Sequence, residues 1–515
     1  SGSYSNSKTY LYCGYDEENN SYSYMTDPLL NVSKYSECNI NSPITEELLP
    51  TSENCFAFNA TTKTITNYYD YENNVSTNPV CPRDVVIPKK ISETDVEKIG
   101  KQSFYSKKLT SVVIPNTVKI IETWSFISNQ ITNITIPNSV ISIGDNAFRS
   151  NNLTSIVIPD GVTSIGYGCF SNNKLIDVTI PSSLTDFSLG CWSSKCLNPF
   201  YQNPTLETLI VDKDNPKYVS INDAIYTKDM KTLVFGTKNA ANNILETTTT
   251  IGYSAFYRMD IPSVTIGHNV KKIEESSFSY NNLESLIIPD SVVELESYSF
   301  GDNTLLKKIT IGTGLSKFGN FDGENPPTSI PFESDGASER EDGCSWSIYT
   351  YQPFSGSNKI QEIVVSSDNP YYKSYNNTIY SKNGYWLVAG SIDPLATTVA
   401  DGTIGINRGA FYSMFISSNL ILPTSIKYIG AYAFNYTSAK NTPLNLPNVE
   451  YLGANSLNYY AGKNIYIGDK IVIVDFGAIG NGVNVTINKK ESEVQYYKKG
   501  CSSLGYNNTV TFLPE

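Results

Sequence analysis

Apolar and polar positions follow one another in a fixed order that repeats through the first half of the chain. Residues 109–130 read LTSVVIPNTVKIIETWSFISNQ, and residues 131–152 and 153–174 keep the same order. The prolines of successive units lie 22 positions apart, at Pro115, Pro137, Pro159 and Pro181. Repeats of roughly 20–50 residues are typical of solenoids, in which each unit stacks only on its neighbours. The pattern therefore predicts an elongated repeat protein.

Each unit divides into two halves with different patterns. In the first half, Val112 and Ile114 are two positions apart, which places both side chains on one face of a strand that ends at a proline. The second half, V-x-x-I-G-x-x-A-F, predicts a returning segment that we expect to be a short or irregular helix carrying Phe148 inward. Gly144 is expected to permit a tight bend, and the asparagines at 151–152 to turn the chain into the next strand.

About fourteen such units are recognisable between Val85 and the C-terminus. They predict an α/β repeat solenoid, a right-handed leucine-rich-repeat array with one parallel β-sheet. Two related stretches, Asp214–Asp229 and Asp368–Lys382, begin with Asp-Asn-Pro and predict inserted β-hairpins. We assign residues 1–83 to a small N-terminal cap domain containing Tyr and Cys, and residues 84–515 to the solenoid. Insertions are expected at about 212–235, 319–357 and 366–390.

Composition narrows the range of partners. Only 17% of the 515 residues are charged and the net charge is −12, which disfavours nucleic acid and anionic membrane surfaces. No apolar run approaches the length of a transmembrane helix. The chain starts SGSYSNSK without a signal-peptide pattern, and we expect it to be the trimmed, monomeric part of an extracellular protein.

The nine cysteines are unevenly spread. Cys13, Cys38, Cys55 and Cys81 fall in the cap, and they predict one or two disulfides and an oxidising compartment, with three connectivities open. Cys191 and Cys196 are a further candidate pair beside a break in the period. Cys169 occupies the slot that Ala147 fills in the preceding unit, so a small buried thiol is expected there.

The repeat resembles the BspA-type leucine-rich repeats of bacterial and some protist surface proteins. The features that carry the resemblance are IPxxVxxIGxxAFxxN at 22-residue spacing, the hairpin DNPxYxSxxxxIYxK, and CFAFNATTKTITNYY at 55–69. The resemblance covers residues 84–515 and extends to the cap. It implies a non-enzymatic extracellular protein associated with adhesion to host matrix proteins, host cells or other bacteria, and it brings no catalytic residue to this chain.

The residue types disfavour the common kinds of catalytic site. His268 is the single histidine, so catalytic triads and multi-histidine zinc sites are disfavoured. Paired carboxylates are available, but no repeat position concentrates them. We predict no catalytic residue, no cofactor and no metal site. Calcium binding by the acidic insertion 319–357 stays open, although its spacing does not match an EF-hand loop.

A ligand is expected on the outward face of the predicted strands. The positions between the buried anchors are uncharged and β-branched, and the candidates are Val113, Thr135, Val157, Thr179 and Ile287. Strand propensity alone is the alternative explanation of this column. The insertion adds Trp346, Tyr349 and Tyr351, residue types that are enriched at interfaces. We predict a secreted or cell-surface adhesin that binds a protein or glycan on host or neighbouring cells; the alternative is a spacer or tip domain of a cell-wall or pilus-like assembly.

Overall fold

The computed structural model describes most of the repeat region and part of the cap. The described residues are 49–69, 81–189, 198–327, 352–393, 397–416, 419–439, 443–460, 464–475, 477–480, 483–496 and 509–515, together with the paired strands Tyr10–Asp16 and Ser21–Thr26. They form a solenoid of about 16 turns, here called coils, with parallel strands and almost no helix. The predicted repeat solenoid is confirmed, and its class is mostly β rather than α/β.

The strand that precedes the proline of each repeat builds a parallel ladder, here called ladder A. Its register advances by one repeat per strand, so that Val112 pairs with Ile134 and Val178 with Leu209. Ladder A runs in four blocks. Its strands are Asp84–Val86, Ser111–Val113 and Ile134–Thr135; Ser155–Val157, Asp177–Ile180 and Thr208–Val211; Ser285–Ile288, Lys308–Ile311 and Glu362–Val365; and Leu444–Leu446, Asn464–Ile467, Asn484–Lys490 and Thr509–Leu513.

A second parallel ladder, ladder B, corrects the expectation of a single sheet. The residues before the glycine of V-x-x-I-G are also extended, and Ile121 pairs with Ile143 of the next coil. Most of these strands have only two residues, too few to show an alternating pattern in the sequence. They are Thr64–Tyr68, Lys98–Ile99, Ile120–Ile121, Ser142–Ile143, Ser164–Gly166 and Asp186–Leu189; Thr232–Gly236, Thr250–Ile251, Lys272–Ile273, Glu294–Leu295 and Lys317–Phe318; and Trp386–Ala389, Gly405–Ile406, Tyr428–Ile429, Tyr451–Leu452, Ile473–Val474 and Gln495–Tyr496.

The remaining described elements are short. Antiparallel partners flank the ladders at Phe56–Asn59, Tyr218–Ile221, Ala224–Thr227, Phe321–Asp322, Tyr372–Tyr375 and Thr378–Ser381. Two further pairs join Lys90–Ile91 with Thr94–Asp95 and Phe415–Ile416 with Ser438–Ala439. Single 3₁₀ turns occur at Glu53–Cys55, Lys238–Asn242 and Glu491–Glu493.

The segment expected to be a helix is a stack of turns instead. Most turns have two residues with left-handed backbone, four positions apart; in one coil these are Trp124 (φ 60°) and Ser128 (φ 61°). A right-handed helix cannot contain such residues, so the helical expectation is wrong. The turns hydrogen-bond to the next coil through their backbones, as in Phe126 N to Ala147 O at 2.8 Å. They close the third side of the solenoid.

Gly144 is required by packing rather than by a bend. Its φ is not positive, but a Cβ at this position would lie 2.5 Å from the Thr123 backbone nitrogen of the preceding coil. Gly166 has the same relation to Asp145, at 2.4 Å from the backbone nitrogen. The glycine therefore lets adjacent coils approach at the end of ladder B.

Phenylalanines from successive turns form a stack along the core. The ring centroids of Phe126 and Phe148 are 5.3 Å apart with an interplanar angle of 5°, and those of Phe148 and Phe170 are 5.5 Å apart at 2°. All three side chains are fully buried. Each offset pair contributes about 0.5–1.5 kcal/mol beyond its burial.

A ladder of buried asparagines lies beside the phenylalanines. Asn151 Nδ2 donates to the carbonyl oxygens of Phe126 and Phe148, at 2.9 and 3.1 Å, and its Oδ1 accepts from Ile131 N at 3.1 Å. The same three contacts recur at Asn129, Asn173, Asn203, Asn281 and Asn303. These side chains join three consecutive segments of backbone, a larger role than the simple turn expected from the sequence.

The structure contains both predicted hairpins. In the first, Tyr218–Ile221 pairs with Ala224–Thr227, which pairs in turn with Thr232–Gly236 of ladder B. Asn215, from Asp-Asn-Pro, is buried and donates to Pro181 O and Leu184 O, both at 2.9 Å. Asn369 has the same role in the second hairpin. The described part of the cap is similar, because Phe56–Asn59 pairs with Thr64–Tyr68, which continues ladder B onto Lys98–Ile99. The boundary at 83/84 stays a prediction.

A disulfide joins Cys55 to Cys81 within the cap. It is one of the pairings that the four cap cysteines allow. The side chains of Cys13 and Cys38, and all of Cys191 and Cys196, lie outside the described residues. Cys169 is a buried free thiol, and burial raises its pKa well above the ordinary value.

Replacing Asn151 with alanine should destabilise the repeat array. The substitution removes the acceptor of the buried Ile131 N–H, and a buried donor left without a partner costs about 1–3 kcal/mol. We expect a loss of about 2 kcal/mol, read as a lower urea midpoint by circular dichroism.

The matched control is Asn152→Ala. Asn152 is the next residue and is half-exposed. Its backbone N–H donates a hydrogen bond to Ile131 O, which does not depend on the side chain. Equal losses for the two variants would contradict a special role for the buried amide.

Candidate functional site

The outward side chains of ladder A form the candidate site. The register aligns Val113 with Thr135, Val157 with Thr179 and Ile287 with Thr310. All five predicted residues of the column therefore lie at outward strand positions, in three separate blocks of the ladder. Ile210 and Val364 extend the column.

The column exposes apolar side chains to solvent. Strand propensity alone would explain the residue types but does not require this exposure. Val157 is 65% exposed, Ile287 68% and Ile210 50%. Their inward neighbours, such as Ile156 and Leu286, are buried. Exposed, uncharged, β-branched side chains interleaved with threonine hydroxyls form a flat surface suited to a protein edge or an extended chain.

Within the described residues, the outward side of ladder B carries more ion pairs than that of ladder A, where Lys308 contacts Glu362 at 2.9 Å. Lys63 and Lys119 both contact Glu97, at 2.7 and 3.3 Å, and Lys272 contacts Glu296 at 2.6 Å. Hydrogen bonding to Lys63 holds the pKa of Glu97 below its usual value. Exposed pairs of this kind are screened by solvent and salt, and they keep this side solvated. The contrast favours ladder A as the interaction face.

The predicted aromatic residues of the insertion, Trp346, Tyr349 and Tyr351, lie outside the described residues, which end at 327 and resume at 352. Both flanks are anchored. The carbonyl oxygen of Pro327 accepts a hydrogen bond from Trp386 Nε1 at 2.8 Å, and buried Phe354 packs on Phe300 and Phe318.

An exposed aromatic group near the C-terminus was missed by the sequence reasoning. Tyr436 and Tyr459 stack with their ring centroids 4.7 Å apart at 9°, and they are 54% and 44% exposed. Phe415 is 67% exposed and pairs with Ser438, two residues beyond Tyr436. The signal was an Asn-Tyr dipeptide at 435–436 that recurs at 458–459, in the same slot of the turn. We call these three residues the aromatic patch.

The other described residues considered for catalysis or metal binding lie away from the outward face of ladder A. His268 is exposed in the turn after residues 264–267. Within the described ranges, no group of three or more His, Cys, Asp or Glu side chains could hold a metal ion. The calcium question concerns the acidic insertion, most of which lies outside those ranges. No helix in the described part of the chain is long and apolar enough to cross a membrane.

Asp145 has an altered acidity that arises from the packing of the coils. It is buried at 7% exposure, and burial raises the pKa of its carboxyl to about 6, although the Tyr167 N–H that it accepts at 3.2 Å acts in the opposite direction. Its contacts are those of a structural residue at the close approach of Gly166.

Together, two parallel ladders, a stacked aromatic core and an open strand face define a repeat solenoid. A sequence model of the BspA type leucine rich repeat region matches six copies, at residues 85–209, 233–329 and 396–501. These residues are more than half of the chain, which therefore belongs to the BspA-type leucine-rich-repeat family.

Three bacterial structures are similar at low identity. A leucine-rich repeat protein from Eubacterium ventriosum is 18% identical, with 77% of this chain and 88% of that chain covered and a TM-score of 0.46. The pneumococcal vaccine antigen PcpA is 17% identical, covering 84% and 89% with a TM-score of 0.33. A leucine rich cell surface protein from Faecalibacterium prausnitzii is 18% identical, covering 74% and 90% with a TM-score of 0.35. The comparison with curated proteins gave no match.

Replacing Asp145 with asparagine should stabilise the protein in a pH-dependent way. An acid whose pKa is raised by folding binds more protons folded than unfolded, so its charge costs stability as the pH rises from about 4 to 6. Asparagine removes that cost and retains the acceptor for Tyr167 N. We expect the variant to gain about 1 kcal/mol over the wild type at pH 7, a value reduced for partial solvation, and little at pH 4.

Urea midpoints of both proteins at the two pH values measure the effect. Asp160→Asn, at an exposed aspartate, is the control and should show no such difference. A gain of equal size at pH 4 and pH 7 would rule out titration of Asp145 as the cause.

Proposed function

We propose that the protein is an extracellular or cell-surface binding protein, an adhesin that contacts a protein or glycan partner through the outward face of ladder A. The observation that carries the proposal is the exposed, uncharged column of Val157, Ile210 and Ile287. Membership of the BspA-type family supports a surface location. The protein acts as a monomer in this proposal, and the aromatic residues of the insertion 319–357 also contact the partner.

The alternative function, a spacer or tip domain of a surface assembly, calls for a uniformly polar exterior. The aromatic patch of Phe415, Tyr436 and Tyr459 does not fit that description. Exposed tyrosines are enriched in binding surfaces because each offers a large, stiff contact area with one polar group. This observation favours binding over a passive spacing role.

The proposal contains no catalytic step. The single histidine is exposed in a turn, and the thiol of Cys169 is enclosed in the core with its pKa raised by burial. Neither group lies on the outward face of ladder A. Binding to a partner is the activity that this face can support.

Lysine substitutions on the column test the proposal. Purified wild type should bind saturably to at least one member of a panel of immobilised extracellular-matrix proteins and glycans, measured by biolayer interferometry. Ile287→Lys places a charge in the apolar column and should weaken that binding about tenfold, because desolvating an ammonium group opposes contact.

Ile141→Lys is the matched control, since Ile141 is 50% exposed, against 68% for Ile287, but precedes a strand of ladder B. It should bind as the wild type does. Equal binding by all three proteins would remove ladder A from the site. Failure of the wild type to bind any panel member would favour the spacer.

The contribution of the insertion needs a separate variant. Residues 328–351 are replaced by a short Gly-Ser linker, which keeps buried Phe354 and the Pro327 contact with Trp386. If the insertion contributes, this protein should retain its urea midpoint and lose affinity in the same assay. Unchanged affinity would confine the site to the strands.

A further inference from the structure

A polar cleft opens where the first inserted hairpin interrupts the array. Ladder A stops at Thr208–Val211 and resumes at Ser285–Ile288. On the turn side, Tyr201 and Tyr257 from coils separated by the hairpin meet edge to face, with their ring centroids 5.4 Å apart. Asn198 Nδ2 bridges these coils by donating to Ser254 O at 2.8 Å. A cleft of about 510 Å³ lies across this joint.

Residues from the second left-handed position of the turn, here called the slot, line the cleft together with the positions just after it. The slot contributes Asn172, Gln202, Arg258, Tyr280 and Asp302 in successive coils. In earlier coils the same slot holds Ser106, Ser128 and Ser150. Stacking of the coils therefore does not require large polar side chains here.

Arg258 is held in a fixed position. Its guanidinium carbon lies 4.1 Å from the Tyr280 ring centroid and 5.6 Å from that of Tyr257. The carboxylate of Asp302 accepts a hydrogen bond from the Tyr298 hydroxyl. Burial raises the pKa of the Asp302 carboxyl, and the positive charge of Arg258 acts in the opposite direction. One side of the cleft thus presents donors and acceptors that are already ordered.

Other polar groups on the lining are available to a ligand. Within the described residues, the side chains of Gln202, Asp260 and Asn282 make no hydrogen bond or ion pair. Two amides and a carboxylate supply both donors and acceptors around one concavity. Pockets of roughly 300–1,000 Å³ with a few convergent polar groups are typical sites for small ligands.

We propose that this cleft binds a neutral saccharide unit, a site separate from the strand face. Amides and carboxylates can pair with the hydroxyl groups of a sugar, each of which donates and accepts. The lining carries one cation, Arg258, and two acids, Asp260 and Asp302, so an anionic ligand gains no net attraction. The lining is rich in amides, which suits a polyol better than an apolar peptide side chain.

The second hairpin provides an internal comparison. There too an amide bridges the coils, since Gln352 Nε2 donates to Arg408 O at 2.6 Å. The corresponding turn slots hold Gly356 and Ser413. A joint of the same design thus exists with small residues in the two slots that meet across it, so the hairpin itself does not require Gln202 and Arg258 there.

Saccharide titration of a matched pair of variants tests the proposal. Asn282→Trp fills the cleft from its lining, and Asn152→Trp makes the same change at the same repeat position outside it. Both backbones donate to the preceding coil, at 2.9 Å, to Ile261 O and Ile131 O. The probes are lactose, maltose, cellobiose and chitobiose, with sialyllactose as the anionic comparison, observed by saturation-transfer NMR and titrated to about 10 mM.

Wild type and Asn152→Trp should bind at least one neutral disaccharide, and Asn282→Trp should bind it at least about tenfold more weakly. Ile287→Lys should leave this saccharide binding intact. The saccharide site and the proposed strand-face function are therefore tested independently of each other. The proposal is overturned if no neutral disaccharide binds the wild type, if the two tryptophan variants bind alike, or if only sialyllactose binds.

Discussion

The interaction on which the fold depends is hydrogen bonding between the backbones of successive coils. A chain that adopts left-handed backbone at Trp124 and again at Ser128 cannot satisfy its polar groups internally as a helix does. Neighbouring coils must supply the partners, and the two ladders and the stacked turns do so. At the corner between turn and ladder A, the amide of Asn151 joins three backbone segments. A buried group without a partner costs about 1–3 kcal/mol, which is why a buried polar side chain recurs at this corner.

This constraint separates positions that the array controls from positions that it leaves free. The Phe126–Phe148 stack, the buried asparagines and the close-approach glycine at 144 recur because every coil must fit the one before it. The outward residues of ladder A and the exposed slots of the turn face no such requirement. Variation there, such as the change from Ser150 to Arg258 in one slot, is not constrained by how the coils stack.

The sequence predicted the features that repeat over several residues with a clear period. The I-x-I-P strands, the inward phenylalanines and both Asp-Asn-Pro hairpins follow from spacing alone. Ladder B was not predicted, because a two-residue strand such as Ser142–Ile143 is too short to show an alternating pattern. The turns were assigned as helix because V-x-x-I-G-x-x-A-F places apolar residues at helical spacing, while left-handed backbone at residues other than glycine leaves little trace in a sequence.

The candidate surfaces were predictable only in part, for a related reason. Alternation identified the outward column, because the inward residues of a strand fix the direction of their neighbours. The aromatic patch and the cleft combine side chains from different coils, and the cleft also depends on how a hairpin is accommodated. The hairpin retains ladder B through Thr232–Gly236 and the aromatic core through Phe235, which lies 5.8 Å from Phe200. It does not retain ladder A, so a concave surface appears beside an unbroken core. In a solenoid whose coils otherwise match, an interruption of this kind is where a pocket can form without loss of the stacking that holds the array together.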